Sequence, residues 1–181
     1  MLFIKSLSRK RKVCAVTLLV LLVLNMGLIF FLSSEDATAS SDRSNPIAGA
    51  VVDAGEQHAG NQRPMIPEEK QNAVANMQFV IREMAHFLEY APLGLLACAL
   101  LVTVKTRPWL LAGGLSVGFG LLYAISDELH QRFVPGRSGS WRDVAIDTLG
   151  VVCGVCVALA TLKIIELVRA ARRKRHAVDA V

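Results

Sequence analysis

Charged residues are sparse in this sequence, and the compositions typical of disulfide scaffolds and collagen are absent. Asp, Glu, Lys and Arg make up 19% of the 181 residues, whereas 53% are hydrophobic. The hydrophobic residues are gathered into long blocks, which is unusual for a soluble domain of this length. Only four cysteines and 13 glycines are present, so a disulfide scaffold and a collagen helix are excluded. The composition favours a membrane protein.

Four blocks are long and apolar enough to cross a bilayer. They are residues 13–32, 84–104, 108–126 and 144–162. The only charged residues within them are Glu89 and Asp147, and His86 is their one histidine. A helix of about 20 residues spans about 30 Å, the thickness of the hydrocarbon core. Because lipid cannot hydrogen-bond to open backbone groups, we predict an all-α fold, an integral membrane bundle of four transmembrane helices.

Lys and Arg are distributed unevenly between the segments that connect these blocks. Thirteen lie in residues 1–12, 105–107 and 163–181, and seven lie in residues 33–83 and 127–143. Cytoplasmic flanks of membrane helices hold the excess of Lys and Arg. We therefore predict that the N- and C-termini are both cytoplasmic. The net charge of +5 then follows from topology and does not indicate a nucleic-acid partner.

The sequence thus predicts five segments. They are a basic cytoplasmic N-terminus (1–12), the first transmembrane helix (13–32), an extracytoplasmic and largely loose segment (33–78), a membrane core with three transmembrane helices (79–162) and a basic cytoplasmic tail (163–181). The segment 33–78 is predicted to be loose because it is rich in Ser, Asp, Gly and Pro, with a surface helix over Glu68–Glu83 as an open alternative. A cleaved signal peptide is the alternative for the first block, but signal peptides have an apolar core of only about 7–15 residues.

Small residues mark a predicted contact between helices. Gly114 and Gly118 in the third block, and Gly150 and Gly154 in the fourth, have Gly-x-x-x-Gly spacing. Such spacing lets two membrane helices approach closely. We expect the third and fourth helices to pack against each other through these glycines.

All four cysteines lie within the predicted spans. Cys153 and Cys156 have the spacing of a redox pair, but no cationic neighbour would lower the pKa of either thiol. We interpret them as small residues of the helix-packing surface.

Polar residues of three predicted helices lie at the same predicted membrane surface, on the outer side. They are His86, Glu89, Tyr90, Asp127, Glu128, His130, Gln131, Arg137, Asp143 and Asp147. An acid at the centre of a membrane helix costs about 2.5–3.5 kcal/mol, so Glu89 and Asp147 should face the bundle interior. We predict one outer-facing cluster, with Asp127 and His130 near the surface and Glu89 deeper.

These residues also have structural interpretations. Ser140-x-x-Asp143 has the pattern of a capping box, so Asp143 either caps a helix or takes part in a site. Arg137 either pairs with Glu89 or Asp147, or holds a phosphate or carboxylate group of a substrate. The whole group is either an ion-pair network that fixes helix register or a working site.

Two stretches of the chain resemble the VanZ-like family of small bacterial membrane proteins. They read His86-Phe-Leu-Glu-Tyr90-Ala-Pro-Leu-Gly94-Leu-Leu and Ser126-Asp-Glu-Leu-His130-Gln-Arg-Phe-Val-Pro135-Gly-Arg137, followed by Asp143 and Gly150. The resemblance covers residues 79–155. It departs from the family at Asp147, where Asn is equally expected, and at Arg82-Glu83, where the family has Asp-Lys. It implies a multi-pass protein of the bacterial cytoplasmic membrane, from a family named for a member that lowers susceptibility to the glycopeptide teicoplanin.

Two functions of different classes remain open. The first is a non-enzymatic envelope protein that binds a lipid-linked cell-wall precursor or another amphiphilic ligand and contributes to glycopeptide resistance. The second is an intramembrane enzyme acting on a lipid-linked envelope substrate, with His86 or His130 as base and Glu89, Asp127 or Asp143 as acid or metal ligand. The sequence lacks a His-Glu-x-x-His motif and a phosphate-binding loop, which favours the first. No cofactor is predicted, and a divalent metal belongs to the second.

Cysteine labelling in intact cells tests the predicted topology. In a background with the native cysteines replaced by serine, an impermeant maleimide should label Ser40→Cys in intact cells. It should label Thr106→Cys only after lysis, because the positive-inside rule puts the basic link 105–107 in the cytoplasm. The cysteine-free parent is the control. Labelling of Thr106→Cys without lysis would contradict the topology.

Overall fold

The computed structural model describes residues 8–59, 63–104 and 108–178, and within them the chain is all-helical. Its helices are α1 (Arg9–Ser33), α2 (Ala37–His58), α3 (Pro67–Val104), α4 (Trp109–Gln131) and α5 (Trp141–Val178). Four of these, α1, α3, α4 and α5, are long and apolar enough to cross a membrane. The predicted fold class is therefore confirmed. The orientation of the termini stays a prediction, and the basic residues of 1–7 and 105–107 that support it lie outside the described residues.

Helices α3 and α5 are longer than the bilayer is thick. Each has 38 residues, which corresponds to about 57 Å of helix at about 1.5 Å per residue. The hydrocarbon core is only about 30 Å thick. Each helix is therefore longer than a single crossing requires. The predicted span 84–104 leaves residues 67–83 as the part of α3 that projects beyond it.

The segment predicted to be loose contains a 22-residue helix, α2. Asp36 caps it, because its carboxylate accepts hydrogen bonds from the Ala39 N–H at 2.8 Å and from the Thr38 hydroxyl at 2.6 Å. The bond from Ala39 is the main reason that the pKa of Asp36 lies below its usual value. The prediction was wrong because a capped helix that docks on a neighbour needs no core of its own.

Helix α2 docks on the projecting part of α3. Lys70 on α3 forms an ion pair with Asp53 on α2 at 2.6 Å, and Gln78 donates a hydrogen bond to Asn45. Ala48 of α2 is fully buried. The start of α2 also touches the loop between α4 and α5, where the Ala37 N–H donates to the carbonyl of Pro135 at 3.4 Å.

Helices α3 and α5 are in backbone contact through glycines. A Cβ on Gly154 would fall on the carbonyl oxygen of Ala91, and a Cβ on Gly150 on the carbonyl oxygen of Phe87. From the opposite side, a Cβ on Gly94 would fall on the carbonyl oxygen of Val151. Gly150 and Gly154 therefore pack closely, but their partner is α3 and not α4 as predicted.

The predicted packing role of Gly114 and Gly118 was wrong. A Cβ at either position would meet nothing within 4 Å. The glycines of α4 that face α5 are Gly113 and Gly120, and a Cβ on Gly120 would approach the side chain of Val151 to 2.6 Å. Gly-x-x-x-Gly spacing identifies a smooth helix face, but it does not identify which helix covers that face.

The outward surfaces of the four long helices are apolar. Leu24 of α1, Leu122 of α4 and Leu149 of α5, for example, are 63%, 69% and 60% exposed. Such surfaces suit a lipid bilayer, which solvates apolar side chains without penalty. Cys153 and Cys156 also lie on the exposed surface of α5, so our interpretation of them as packing residues was wrong.

The glycine contact between α3 and α5 is testable with a matched pair of alanine variants. Gly154→Ala should lower the melting temperature of the purified protein in detergent, because overpacking costs about 1–3 kcal/mol or more. Gly118→Ala should leave it unchanged or raise it, since Ala is favoured over Gly within a helix by about 1 kcal/mol. Equal shifts for the two variants would refute the contact.

Candidate functional site

The predicted polar residues of α3, α4 and α5 converge near one end of the bundle. We call it the cavity end, and it is the end at which α1 and α4 end and α5 begins. Seven of the ten predicted residues are buried there, namely His86, Tyr90, Asp127, Glu128, Gln131, Asp143 and Asp147. The topology prediction puts this end outside the cytoplasm.

His86 of α3 and Asp147 of α5 form the deepest pair. His86 Nδ1 lies 3.3 Å from Asp147 Oδ1. The side chain of His86 is 10% exposed and that of Asp147 is fully buried. The pair lies within one helical turn of the glycine contact at Gly150, so the close approach of α3 and α5 brings these two side chains together.

Asp127 links α4 to the end of α1. Its Oδ2 accepts hydrogen bonds from the Ser33 hydroxyl at 2.7 Å and from Gln131 Nε2 at 3.1 Å. Asp127 is only 4% exposed, whereas Glu89 is half-buried. The expected order of depth was therefore wrong, because α1 covers Asp127 and a single helix pattern cannot reveal that cover.

Arg137 fastens the α4–α5 loop to α1 and α4. Its guanidinium donates to Gln131 Oε1 and to the carbonyl of Leu32, both at 3.4 Å. One interpretation of the sequence expected an ion pair between Arg137 and Glu89 or Asp147. Among the described residues, Arg137 forms neither pair. These two bonds use two of the guanidinium's five N–H donors, so the other three stay available to another acceptor.

Glu128 and Ser140 hold the start of α5. Glu128 Oε2 accepts a hydrogen bond from the Ser140 N–H at 2.7 Å, and the Ser140 hydroxyl accepts one from the Arg142 N–H at 3.1 Å. Ser140 is thus the residue that caps α5. Asp143 lies in the first turn of α5 and is 8% exposed.

His130 and Tyr90 are positioned by aromatic contacts. His130 stacks on Phe30 of α1, with ring centroids 4.8 Å apart. Tyr90 is fully buried and packs at 6.2 Å from Tyr123, whose hydroxyl donates to the Met26 carbonyl at 2.8 Å. His130 therefore lies against α1.

Two adjoining cavities open at the cavity end, with volumes of about 230 Å³ and 190 Å³. Five residues line both, namely Ser40, Ser44, Arg82, His86 and Arg137. Gln131 and Asp143 add to the polar wall of the larger cavity, and Glu89 lines the smaller one. Leu32, Ile47 and Ile81 give the smaller cavity an apolar wall. Together we call these spaces the arginine cavity.

The ten predicted residues leave out several others of this region. Ser33 was absent from the predicted cluster, although it directly follows the first apolar block and so lies at the same predicted depth as Asp127. Arg82 is four residues before His86, a spacing that puts both on one face of α3. Ser40 and Ser44 gave no signal, because the segment that contains them was predicted to be loose.

A comparison with known protein families identifies one family that matches this chain. The model of the family described as VanZ/LLP1 matches residues 18–164, which is most of the 181-residue chain. The matched range includes every residue of the predicted cluster. No curated protein and no solved structure matches the chain.

The hydrogen bond from Ser33 to Asp127 is testable with an adjacent control. Ser33→Ala should lower the free energy of unfolding by about 1.5–3 kcal/mol, the range for a hydrogen bond to a charged group. Ser34→Ala should change it by less than about 0.5 kcal/mol, because the Ser34 hydroxyl is exposed and bonds within α1, to the carbonyl of Phe30. Thermal unfolding in detergent measures both. A larger loss for Ser34→Ala would disprove the link between α1 and α4.

Proposed function

We propose, because the chain belongs to the VanZ/LLP1 family, that it is a multi-pass protein of the bacterial cytoplasmic membrane that binds a lipid-linked ligand in the arginine cavity. The ligand would be anionic at its head and apolar along its chain, as a lipid-linked cell-wall precursor is. In this proposal binding, and not chemistry, is the function. Such binding would also contribute to resistance against teicoplanin-type glycopeptides.

The observation that carries the proposal is the pair of arginines, Arg82 and Arg137, that line the same cavity. Guanidinium groups bind phosphate and carboxylate through paired, charge-assisted hydrogen bonds. Arg82 has no ion-pair partner among the described residues, and Arg137 is held only by a side-chain amide and a backbone carbonyl. Both positive charges are therefore available to an anion.

The walls of the cavity suit a ligand of mixed polarity. The hydroxyl groups of Ser40 and Ser44 lie on the polar side, and Leu32, Ile47 and Ile81 form the apolar side. Pockets for small molecules commonly combine an apolar lining with a few polar groups that fix orientation. An anionic head group would then bind beside the arginines, and the apolar chain of the same ligand would pack along the apolar side.

One observation favours the second candidate function, an enzyme that acts on the same kind of lipid. His86 lines both parts of the arginine cavity, and Asp147 lies against its Nδ1. A carboxylate at one imidazole nitrogen orients the ring and favours proton acceptance at the other nitrogen. His86 is then the candidate general base, with Glu89 as the nearest carboxyl group on the same helix face.

Binding of a polyprenyl phosphate in nanodiscs tests the proposal. The protein should bind polyprenyl phosphate more tightly than the uncharged polyprenol. Arg82→Gln and Arg137→Gln should each weaken binding about 10- to 100-fold, since a hydrogen bond to a charged group contributes about 1.5–3 kcal/mol. Arg63→Gln is the control, because Arg63 is exposed, pairs with Glu69 and lines neither part of the cavity.

The fate of the probe separates the two candidate functions. Recovery of intact polyprenyl phosphate after long incubation supports binding alone. Loss of phosphate that disappears in His86→Gln supports the enzyme. Equal affinity for the charged and uncharged lipids, or full binding by both arginine variants, would contradict the proposal. Cells that overproduce Arg82→Gln should also survive teicoplanin less well than cells that overproduce the wild type at equal abundance.

A further inference from the structure

Three carboxylates converge behind the arginine cavity. Asp127 and Glu128 come from α4, and Asp147 comes from α5. One oxygen from each lies within 4.8 Å of the others. The three residues are 4%, 5% and 0% exposed. This group is therefore an acidic centre that is enclosed by protein.

The hydrogen bonds of these carboxylates leave several oxygens unused. Glu128 Oε2 is satisfied by the Ser140 N–H, but Glu128 Oε1 is buried and accepts no hydrogen bond. Neither Asp147 oxygen accepts one. In the part of the chain that the structure describes, no Lys or Arg forms an ion pair with any of the three carboxylates.

Two neighbouring side chains that are not acids also present unsatisfied polar atoms to this centre. Tyr90 is fully buried, and its hydroxyl lies near the carboxylates of Asp127 and Asp147 without a hydrogen bond of good geometry. His86 Nδ1 lies 3.3 Å from Asp147 Oδ1 without the alignment of a hydrogen bond. Buried polar atoms nearly always have partners in folded proteins. Their concentration at one point indicates a ligand that bonds to oxygen.

The charge of the three carboxylates also indicates a bound cation. Three like charges in a low-dielectric interior repel one another strongly. The hydrogen bonds to Asp127 and Glu128 come from neutral donors, which bring no compensating positive charge. A cation among the carboxylates would balance this charge and would use the unsatisfied oxygens. Carboxylate and hydroxyl oxygens are the ligands that hard divalent cations such as Mg²⁺, Mn²⁺ and Ca²⁺ prefer.

We propose that Asp127, Glu128 and Asp147, with the Tyr90 hydroxyl beside them, form a binding site for one hard divalent cation. The site joins α4 to α5 at the base of the arginine cavity. It is separate from the arginines, so it does not rest on the proposed binding of an anionic lipid. The competing account is that protons neutralise the carboxylates and that no metal binds.

Binding of Mn²⁺ to the full-length protein in detergent tests the proposal. After treatment with EDTA and removal of the chelator, the wild type should bind one Mn²⁺ per chain, detected by electron paramagnetic resonance and by elemental analysis. Asp147→Asn and Glu128→Gln should each bind at least 10-fold more weakly. Asp42→Asn should bind like the wild type, because Asp42 is an exposed carboxylate on α2. Competition by Mg²⁺ and Ca²⁺ ranks the cations.

A measurement on the wild type alone guards against variants that do not fold. The cation should raise the melting temperature of EDTA-treated protein, and it should do so with the same concentration dependence as binding. Absence of saturable Mn²⁺ binding by folded wild type would overturn the proposal in favour of neutral carboxyl groups. Undiminished binding by both folded site variants would overturn it as well. If both variants fail to accumulate, the wild-type melting shift decides: a shift supports the site, and no shift refutes it.

Discussion

The site depends on the backbone contact between α3 and α5. Gly94, Gly150 and Gly154 let the two helices approach until a single added Cβ would collide with a carbonyl group. At this separation side chains one turn away from the contact meet directly, and His86 reaches Asp147 in this way. A wider contact, with leucine in place of glycine, would leave a buried carboxylate without its imidazole. The glycines therefore serve the polar residues as much as they serve packing.

The second constraint is the cost of polar groups within a membrane bundle. Three of the buried acids have different neighbours that offset this cost. Asp127 accepts hydrogen bonds from a hydroxyl group and an amide of two helices, and Glu128 accepts one from the backbone N–H at the start of α5. Asp147 lies 3.3 Å from the imidazole of His86 but accepts no hydrogen bond. These links also tie α1, α4 and the α4–α5 loop together. The polar cluster is consequently both a candidate site and the part of the fold that fixes how the helices are aligned.

The sequence alone was enough to predict four apolar helices and the convergence of several polar residues of α3, α4 and α5. Long uncharged blocks indicate membrane helices, and an acid such as Asp147 within such a block must face the bundle interior. Both inferences depend only on the local sequence pattern. The errors arose where one helix covers another. Gly118 and Gly154 have the same spacing pattern, yet only Gly154 packs against another helix. Asp127 was expected near the surface because its sequence neighbours do not reveal that α1 covers it. Helix α2 was missed because its stability comes from α3 and from the Asp36 cap.

The length of α3 has a mechanical consequence. Its projecting part carries α2, while its lower part is clamped to α5 at Phe87 and Ala91. Helix α2 is attached along this projecting part, from the Lys70–Asp53 ion pair near the tip to the Gln78–Asn45 hydrogen bond nearer the bundle. Its first residue is also bonded to the α4–α5 loop, through the Ala37 N–H and the Pro135 carbonyl. Helix α2 therefore acts as a strut between the projecting part of α3 and the loop. Ser40 and Ser44 lie between these attachments, so the wall of the cavity that they form is braced from both sides.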